Sequence, residues 1–237
     1  MTPEFERALV VAAHPDDADV NSGGTIAKWA TAGVNVTLLV LTDGAAGGDE
    51  AMTPEELVVA RQREQRRAGA AVGITDIRFL QGYPDGALAV SPELVEEIVR
   101  VIRQVRPHRV VMLSPERNWN NIAQGHTDHL VAGEATIRAV YPAARNPFSF
   151  PRLRREEHLE PWTVGEVWVQ DPPTPNHAED VTDFFEQKLA AISAHASQFH
   201  GSFDIEARLR ERMAKDAARF GLPAGRLAEP YRIVQAG

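Results

Sequence analysis

The stretch "ALVVAAHPDDADVNSGGT", residues 8–25, decides the fold class. Its first six residues are apolar and rich in valine, which is typical of a buried strand, and a helical pattern follows the glycine pair. A strand followed at once by a helix is the first half of a βαβ unit, and such units build a parallel sheet. Between the two elements, Asp16, Asp17 and Asp19 are crowded together. Because like charges repel, this crowding predicts a positive group among them.

The rest of the chain continues the alternation of strands and helices. Thr53 and Pro54 give one helix a clear beginning, because they are typical of the N-cap and the first helical position. We therefore predict an α/β protein with a Rossmann-like three-layer α/β/α fold, a mostly parallel central sheet, and a single domain over residues 1–237. The further predicted strands are 34–42, 77–81, 109–115, 166–171 and the short "YRIV" at 231–234. The predicted helices are 24–33, 53–73, 91–107, 129–141, 182–198 and a segment near 204–219.

The composition excludes several classes of function. The formal net charge is −8, and the one basic cluster, residues 61–67, contains a glutamate, so a nucleic-acid surface is not expected. The chain has no cysteine, which excludes disulfides and thiolate metal sites. No segment reaches the roughly 18 apolar residues of a membrane span, and the N-terminus does not resemble a signal peptide. We expect a cytoplasmic protein without nucleic-acid or membrane partners.

Residues 142–163 form a proline-rich stretch that is long for a simple connector. Segments of this length usually serve as lids, binding loops or contacts between subunits. We predict that this segment shapes the mouth of the site or a contact between copies of the chain. A homo-oligomer is therefore one of the expected alternatives.

Two motifs are candidates for a metal site. His14 and Asp17 follow the first strand, and "GHTDHL", residues 125–130, follows the fourth, so both belong at the carboxyl edge of a parallel sheet, where ligands bind. Imidazole and carboxylate suit zinc or iron, and three such ligands with an open position are typical of a catalytic site. A structural alternative remains at this point, since aspartates and threonines at these places are also common helix caps.

The motifs "AHPDDAD", "LTDGAAGG", Arg61-x-x-Glu64 and "HTDH" resemble those of the LmbE-like, or PIG-L-like, zinc deacetylases, which remove N-acetyl groups from amino sugars. The resemblance continues through "DGAL" at 85–88 and into the segment 182–198, so it covers most of the chain in order. Two departures are visible: Ala18 stands where the family often has glutamate, and "HTDH" replaces the commoner "HPDH".

The resemblance implies a role for each residue of the two principal motifs. The implied metal ligands are His14, Asp17 and His129. Asp16 would be the general base, with Asp19 as the alternative, and His126 would stabilise the oxyanion while Asp128 orients it. Each role fits the chemistry of the residue, since carboxylates accept protons and imidazoles donate to developing negative charge.

The resemblance also implies the reaction and its partners. We expect a hydrolase that binds one Zn²⁺ per chain, or Fe²⁺ or another divalent ion, and cleaves the N-acetyl amide of a small amino-sugar substrate or its conjugate. Asp43, Arg61 and Trp119 are candidate substrate-binding residues, the last by stacking on a sugar ring. Two alternatives are an amidase acting on a mycothiol-type thiol conjugate and a non-catalytic metal-binding regulatory module.

Overall fold

The computed structural model describes residues 4–48, 52–119, 122, 125–199 and 204–237. Within these residues, seven strands form one sheet, and the predicted mostly parallel sheet is confirmed. The strands are β1 (Arg7–Ala12), β2 (Asn35–Val40), β3 (Asp76–Phe79), β4 (Arg109–Leu113), β5 (Glu166–Gln170), β6 (His177–Asp180) and β7 (Ala228–Gln235). Their order in the sheet is β3-β2-β1-β4-β5-β7-β6. All pairs are parallel except those of β7, which runs antiparallel to β5 and β6.

Helices cover both faces of this sheet, as the three-layer prediction requires. They are α1 (Asp17–Thr31), α2 (Pro54–Val72), α3 (Pro92–Val105), α4 (Thr127–Arg138), α5 (Pro151–Arg155), α6 (Phe185–Ser193) and α7 (Ile205–Arg219). Alternate residues of β1 pack on opposite faces of the sheet, because successive side chains of a strand point to opposite sides. Leu9 and Val11 join the apolar core under α3 and α4, whereas Ala8 and Val10 join the core under α1 and α2.

The first helix begins earlier than the sequence pattern predicts. We expected this helix to begin at Gly24. Helix α1 begins at Asp17 instead, so it includes the polar stretch that precedes Gly24. The helix packs closely at Gly24: a Cβ at this position would lie 2.8 Å from the side chain of Val181. The early start matters for function, because it places the acidic motif at the first turn of a helix.

Further differences lie in the second half of the chain. Strand β6 was not predicted, and His195, expected within a helix, follows α6. The segment 142–163 contains α5 and is anchored by the buried Arg103, which donates to four backbone carbonyls between Ala143 and Ser149. Its role as a site mouth or a subunit contact stays a prediction. In the described part of the chain, no helix is long and apolar enough to cross a membrane.

The topology brings the two sequence motifs together. Strands β1 and β4 are neighbours at the centre of the sheet, although they are separated in the chain by β2 and β3. The chain reverses its direction of winding between them, and the loops that follow such strands frame a crevice at the carboxyl edge. The turn after β1 carries "HPDD", and the loop after β4 leads to α4 and "HTDH".

Candidate active site

The turn between β1 and α1 presents Asp16 without using it as a helix cap. Asp16 is the N-cap residue of α1, but its carboxylate makes no capping hydrogen bond. Its backbone has φ 118° and ψ −30°, a region that residues with a side chain rarely adopt. The turn is closed instead by Asp17, whose Oδ2 accepts from the His14 amide at 2.7 Å. The capping alternative therefore does not account for Asp16.

Three side chains converge as a metal site requires. His14 Nδ1 lies 3.2 Å from His129 Nε2 and 3.5 Å from Asp17 Oδ2, and His129 Nε2 lies 3.0 Å from Asp17 Oδ1. Ligand atoms about 2.0–2.1 Å from a tetrahedral zinc ion would be about 3.3 Å apart. The donor atoms of His14, Asp17 and His129 therefore fit a zinc-sized divalent cation.

The other nitrogen of His14 faces a second pair of carboxylates. His14 Nε2 lies 3.0 Å from Asp85 Oδ1 and 3.2 Å from Asp128 Oδ2. The fully buried Asp128 carboxylate also accepts from the amides of Gly86 and Leu88, at 2.7 and 3.3 Å. A carboxylate on the outer nitrogen of a ligating histidine fixes the tautomer that leaves the inner nitrogen free to bind a metal.

Two other groups of three could hold an ion by distance alone. The donor atoms of His14, Asp85 and Asp128 lie within 4.8 Å of one another, as do those of His14, His126 and His129. We favour the site with Asp17 because all three of its separations lie between 3.0 and 3.5 Å and because Asp128 is committed to two backbone amides. In that arrangement, Asp85 and Asp128 orient His14 from outside.

Electrostatics also favour a cation at this place. Burial by itself would lower the pKa of His14, but hydrogen bonds to Asp17 and Asp85 raise it to about 11. Burial likewise opposes ionisation of Asp17, yet His129 and His14 hold the pKa of Asp17 below its usual range. The pKa of His129 is raised because Asp17 outweighs the effect of burial. The carboxylates thus stabilise positive charge at this place, and a divalent cation would supply that charge.

Asp16 has the basicity that proton transfer needs. Burial and the negative charge of Asp17 raise the pKa of Asp16 to about 7, against the opposing charges of Arg61, His195 and His14. A pKa near the working pH suits a general base, since the group can both take and return a proton. The nearest cation is Arg61, whose Nη2 lies 3.3 Å from Asp16 Oδ2.

The structure corrects how Asp128 relates to His126. We expected the Asp128 carboxylate to hold the His126 ring, but that carboxylate contacts His14 and two backbone amides. It is the Asp128 backbone amide that donates to His126 Nδ1, at 3.2 Å, so His126 caps α4. With Nδ1 accepting, the proton of a neutral imidazole must be on Nε2. His126 can therefore donate a hydrogen bond through Nε2. Its ring is oriented by the backbone amide of Asp128 rather than by a carboxylate.

Two cavities meet at this cluster, with volumes of about 310 and 340 Å³. Asp16, Asp17 and His129 line both. The first extends over polar side chains that include Asn21, Ser114, Glu116 and Asp171. The second is lined by His14, Arg61, Asp85, His126 and Gln198, together with the small residues Ala46, Gly47 and Gly86. A substrate can therefore approach the cluster from more than one side.

The three candidate substrate-binding residues differ in position. Arg61 is 3% exposed, lines the second cavity and donates to the carbonyls of Gly44 and Pro15. The Asp43 carboxylate accepts from two backbone amides, those of Ala45 and Asp85, and so braces the loop that carries Asp85. Trp119 is 82% exposed and lines neither cavity. Their roles toward substrate stay predictions.

Sequence reasoning missed two contributors to the site. Asp85 was quoted only within "DGAL", although an aspartate shortly after the third parallel strand could have been recognised as another group at the same sheet edge. Gln65, which contacts the Asp16 backbone, gave no signal, because glutamine within a helix is ordinary.

Comparison with known proteins shows the family of this chain. The PIG-L family, described as GlcNAc-PI de-N-acetylase, matches residues 9–140. The diacetylchitobiose deacetylase of Thermococcus kodakarensis is 34% identical over 83% of this chain and 71% of its own. The 1D-myo-inositol 2-acetamido-2-deoxy-alpha-D-glucopyranoside deacetylase of Rhodococcus erythropolis is 33% identical over 84% of this chain and 83% of its own.

A solved structure extends the similarity to the whole fold. The N,N'-diacetylchitobiose deacetylase of Pyrococcus horikoshii superposes with a TM-score of 0.88 at 28% identity, covering 98% of this chain and 84% of that one. The resemblance inferred from "HPDD" and "HTDH" is thus confirmed by sequence and by structure. The chain belongs to the PIG-L family of N-deacetylases, hydrolases that act on amide bonds.

Proposed function

We propose that this protein is a zinc-dependent hydrolase that removes the N-acetyl group from an amino sugar or a small amino-sugar conjugate. One observation carries the proposal: a half-buried carboxylate, Asp16, with its pKa raised to about 7, stands beside three converging ligands without capping the helix or joining their triangle. A site built only to hold a metal has no use for such a base.

Each residue has a chemical task in the proposed mechanism. A divalent ion held by His14, Asp17 and His129 would supply the Lewis acidity that activates water and polarises the acetyl carbonyl. Asp16 accepts the proton of the attacking water and returns it to the amine as the C–N bond breaks. His126 donates from Nε2 to the oxygen on which negative charge develops.

The remaining neighbours keep these groups in place. Asp128 and Asp85 accept from His14 Nε2 and hold its ring so that Nδ1 faces the other two ligands. Arg61 ties the loop after β2 to the turn after β1 through its bonds to Gly44 and Pro15. The proton returned by Asp16 completes the neutral amine product, and the other product, acetic acid, loses its carboxyl proton and leaves as acetate.

The substrate class is supported by the cavities and by the relatives. Cavities of about 310 and 340 Å³ that meet at one cluster can receive a sugar ring with an attached group. The polar lining of the first cavity offers hydrogen-bonding partners for hydroxyl groups. The similar proteins from Thermococcus and Rhodococcus are named for N-acetylated glucosamine compounds.

A panel of substrates tests this proposal. N-acetylglucosamine, N,N'-diacetylchitobiose and an N-acetylglucosaminyl inositol would be incubated with zinc-loaded protein, and free acetate would be measured. We expect acetate from at least one of them, lost on removal of metal and restored by zinc. Release of a cysteine derivative from a thiol conjugate, without acetate from any sugar, would favour the amidase alternative. Metal binding with no turnover of any kind would favour the regulatory module.

A further inference from the structure

Gln65 connects the Asp16 backbone to a buried carboxylate. Its Oε1 accepts from the Asp16 backbone N–H at 2.8 Å, and its Nε2 donates to Asp19 Oδ2 at 2.7 Å. A backbone amide can only donate and an ionised carboxylate can only accept, so these two partners fix the orientation of the Gln65 amide. Gln65 is 0% exposed, which excludes water as a substitute partner.

The backbone of Asp16 is the part of the site that most needs support. Its φ of 118° is a conformation that side-chain-bearing residues rarely adopt, and such a conformation persists only where its surroundings hold it. The Asp16 carbonyl accepts from the amides of Asp19 and Val20 and thereby begins α1. Gln65 receives the remaining backbone group, the N–H. Without that bond, relaxation of φ would turn the Asp16 carboxylate away from Asp17 and His129.

The far end of Gln65 is held by a second buried pair. Asp19 Oδ2 lies 2.9 Å from His195 Nε2, and both residues are 0% exposed. Since an ionised Asp19 can only accept, His195 Nε2 carries the proton. The three residues come from α1, α2 and the segment after α6, and none of them lines either cavity at the site. They cannot reach a substrate bound there, and Asp19 is thereby unsuited to the role of alternative base.

We infer that Gln65, held by Asp19 and His195, is a positioning residue that fixes the Asp16 backbone so that its carboxylate faces the reacting water. The inference rests on the proposed function, with Asp16 as base. It assigns the backbone geometry of one catalytic carboxylate to three buried side chains that line neither cavity.

The first test replaces Gln65 by a residue of similar length that cannot make either bond. Gln65→Met should lower kcat about 10- to 100-fold, the scale expected when a catalytic group is displaced by a fraction of an ångström to an ångström. KM and the zinc content per chain should not change, because neither the cavity lining nor a ligand is altered. Gln62→Met, the same substitution on the same helix, is the matched control and should keep full activity.

A double-mutant cycle separates positioning from general damage. In the Asp16→Asn background the base is already absent, so adding Gln65→Met should cause no further loss of kcat. An equal loss in both backgrounds would overturn the inference. If Asp16→Asn itself kept full activity, the failure would be that of the proposed function instead.

A rescue experiment covers the case in which Gln65→Met does not fold. Gln65→Glu places a second carboxylate against Asp19 and should lower kcat. In Gln65→Glu combined with Asp19→Asn, an asparagine NH2 group takes the place of Asp19 Oδ2, which contacts both Gln65 and His195. It can donate one N–H to the new carboxylate, which still accepts from Asp16, and the other to His195 Nε2 once the His195 proton is on Nδ1. We expect this pair to recover most of the kcat lost in Gln65→Glu at unchanged zinc content. A pair no more active than Gln65→Glu alone would contradict the inference.

Discussion

Two buried clusters of charge lie against the same helix, α1, and they differ in balance. Around the first turn of α1, four carboxylates are grouped with one arginine beside the two cavities. They are Asp16, Asp17, Asp85 and Asp128, with Arg61. Near the middle of α1, one lysine meets one glutamate: Lys188 Nζ lies 2.6 Å from Glu229 Oε1.

The second cluster satisfies its own hydrogen bonds. Glu229 accepts from the amides of Gly24 and Thr25 and from the hydroxyls of Thr25 and Tyr231. Lys188 donates to Glu229 and to two carbonyls at the beginning of α1. Burial lowers the pKa of Lys188, and the charge of Glu229 opposes that shift. This pair fastens β7 and α6 to α1 and leaves nothing for a ligand.

The comparison shows what distinguishes a site from a support. Both clusters are buried and ionic, so burial and charge do not separate them. The excess of carboxylates over lysine and arginine side chains does separate them, because a bound cation can balance that excess. Three substitutions, in order of decreasing effect, examine that distinction.

The largest effect is expected at Asp17. Asp17→Ala removes one of three ligands, so zinc content and acetate release should fall together to background. Elemental analysis of purified protein beside an acetate assay measures both. A variant that kept one zinc per chain would show that one of the other two groups of donors holds the ion.

The second largest effect is expected when Lys188 is removed from the cluster that it forms with Glu229. Lys188→Met leaves Glu229 buried without its counter-charge, and removal of one partner of a buried pair costs about 3–5 kcal/mol. The free energy of unfolding in denaturant would report this loss. Adding Glu229→Gln should recover part of it, because the unpaired charge is then gone. A single variant within about 1 kcal/mol of the parent protein would refute the structural role.

A smaller effect is expected at Asp128, which orients a ligand rather than being one. Asp128→Asn keeps a single side-chain oxygen for the partners that two oxygens now serve, so His14 should be held less firmly. Loss of an outer partner typically costs 10- to 100-fold in metal affinity. Competition with a chelator measures that affinity. Complete loss of zinc, as in Asp17→Ala, would instead make Asp128 a ligand.

The sequence was sufficient for the architecture and for the principal motifs. The valine-rich runs and capped helices predicted a parallel sheet, and "HPDD" and "HTDH" were correctly expected at one edge, because chain order alone assigns them to the ends of strands. Their convergence to within 3.2 Å rests on the pairing of β1 with β4, which the pattern of a single chain does not specify.

What could not be predicted depends on contacts between distant segments. Helix α1 was expected to begin at Gly24 because asparagine, serine and glycine are poor helix formers, yet packing against Val181 overrides that propensity. Asp85 and Gln65 acquire their roles only when loops from other strands and helices meet them. The same holds for Asp128, whose carboxylate reaches His14 rather than the neighbouring His126.

The most direct test of the account concerns Asp16. Asp16→Asn preserves size and the backbone bond to Gln65 but cannot accept a proton, so one zinc should remain bound per chain while acetate release falls about 10²- to 10⁴-fold. Zinc stoichiometry and kcat would be measured on the same preparation, with Asp17→Ala as the reference for loss of metal. Retained zinc with a rate lowered to that extent is the predicted result. Loss of zinc as complete as in Asp17→Ala, or an unchanged rate, would contradict the assignment of Asp16 as the base.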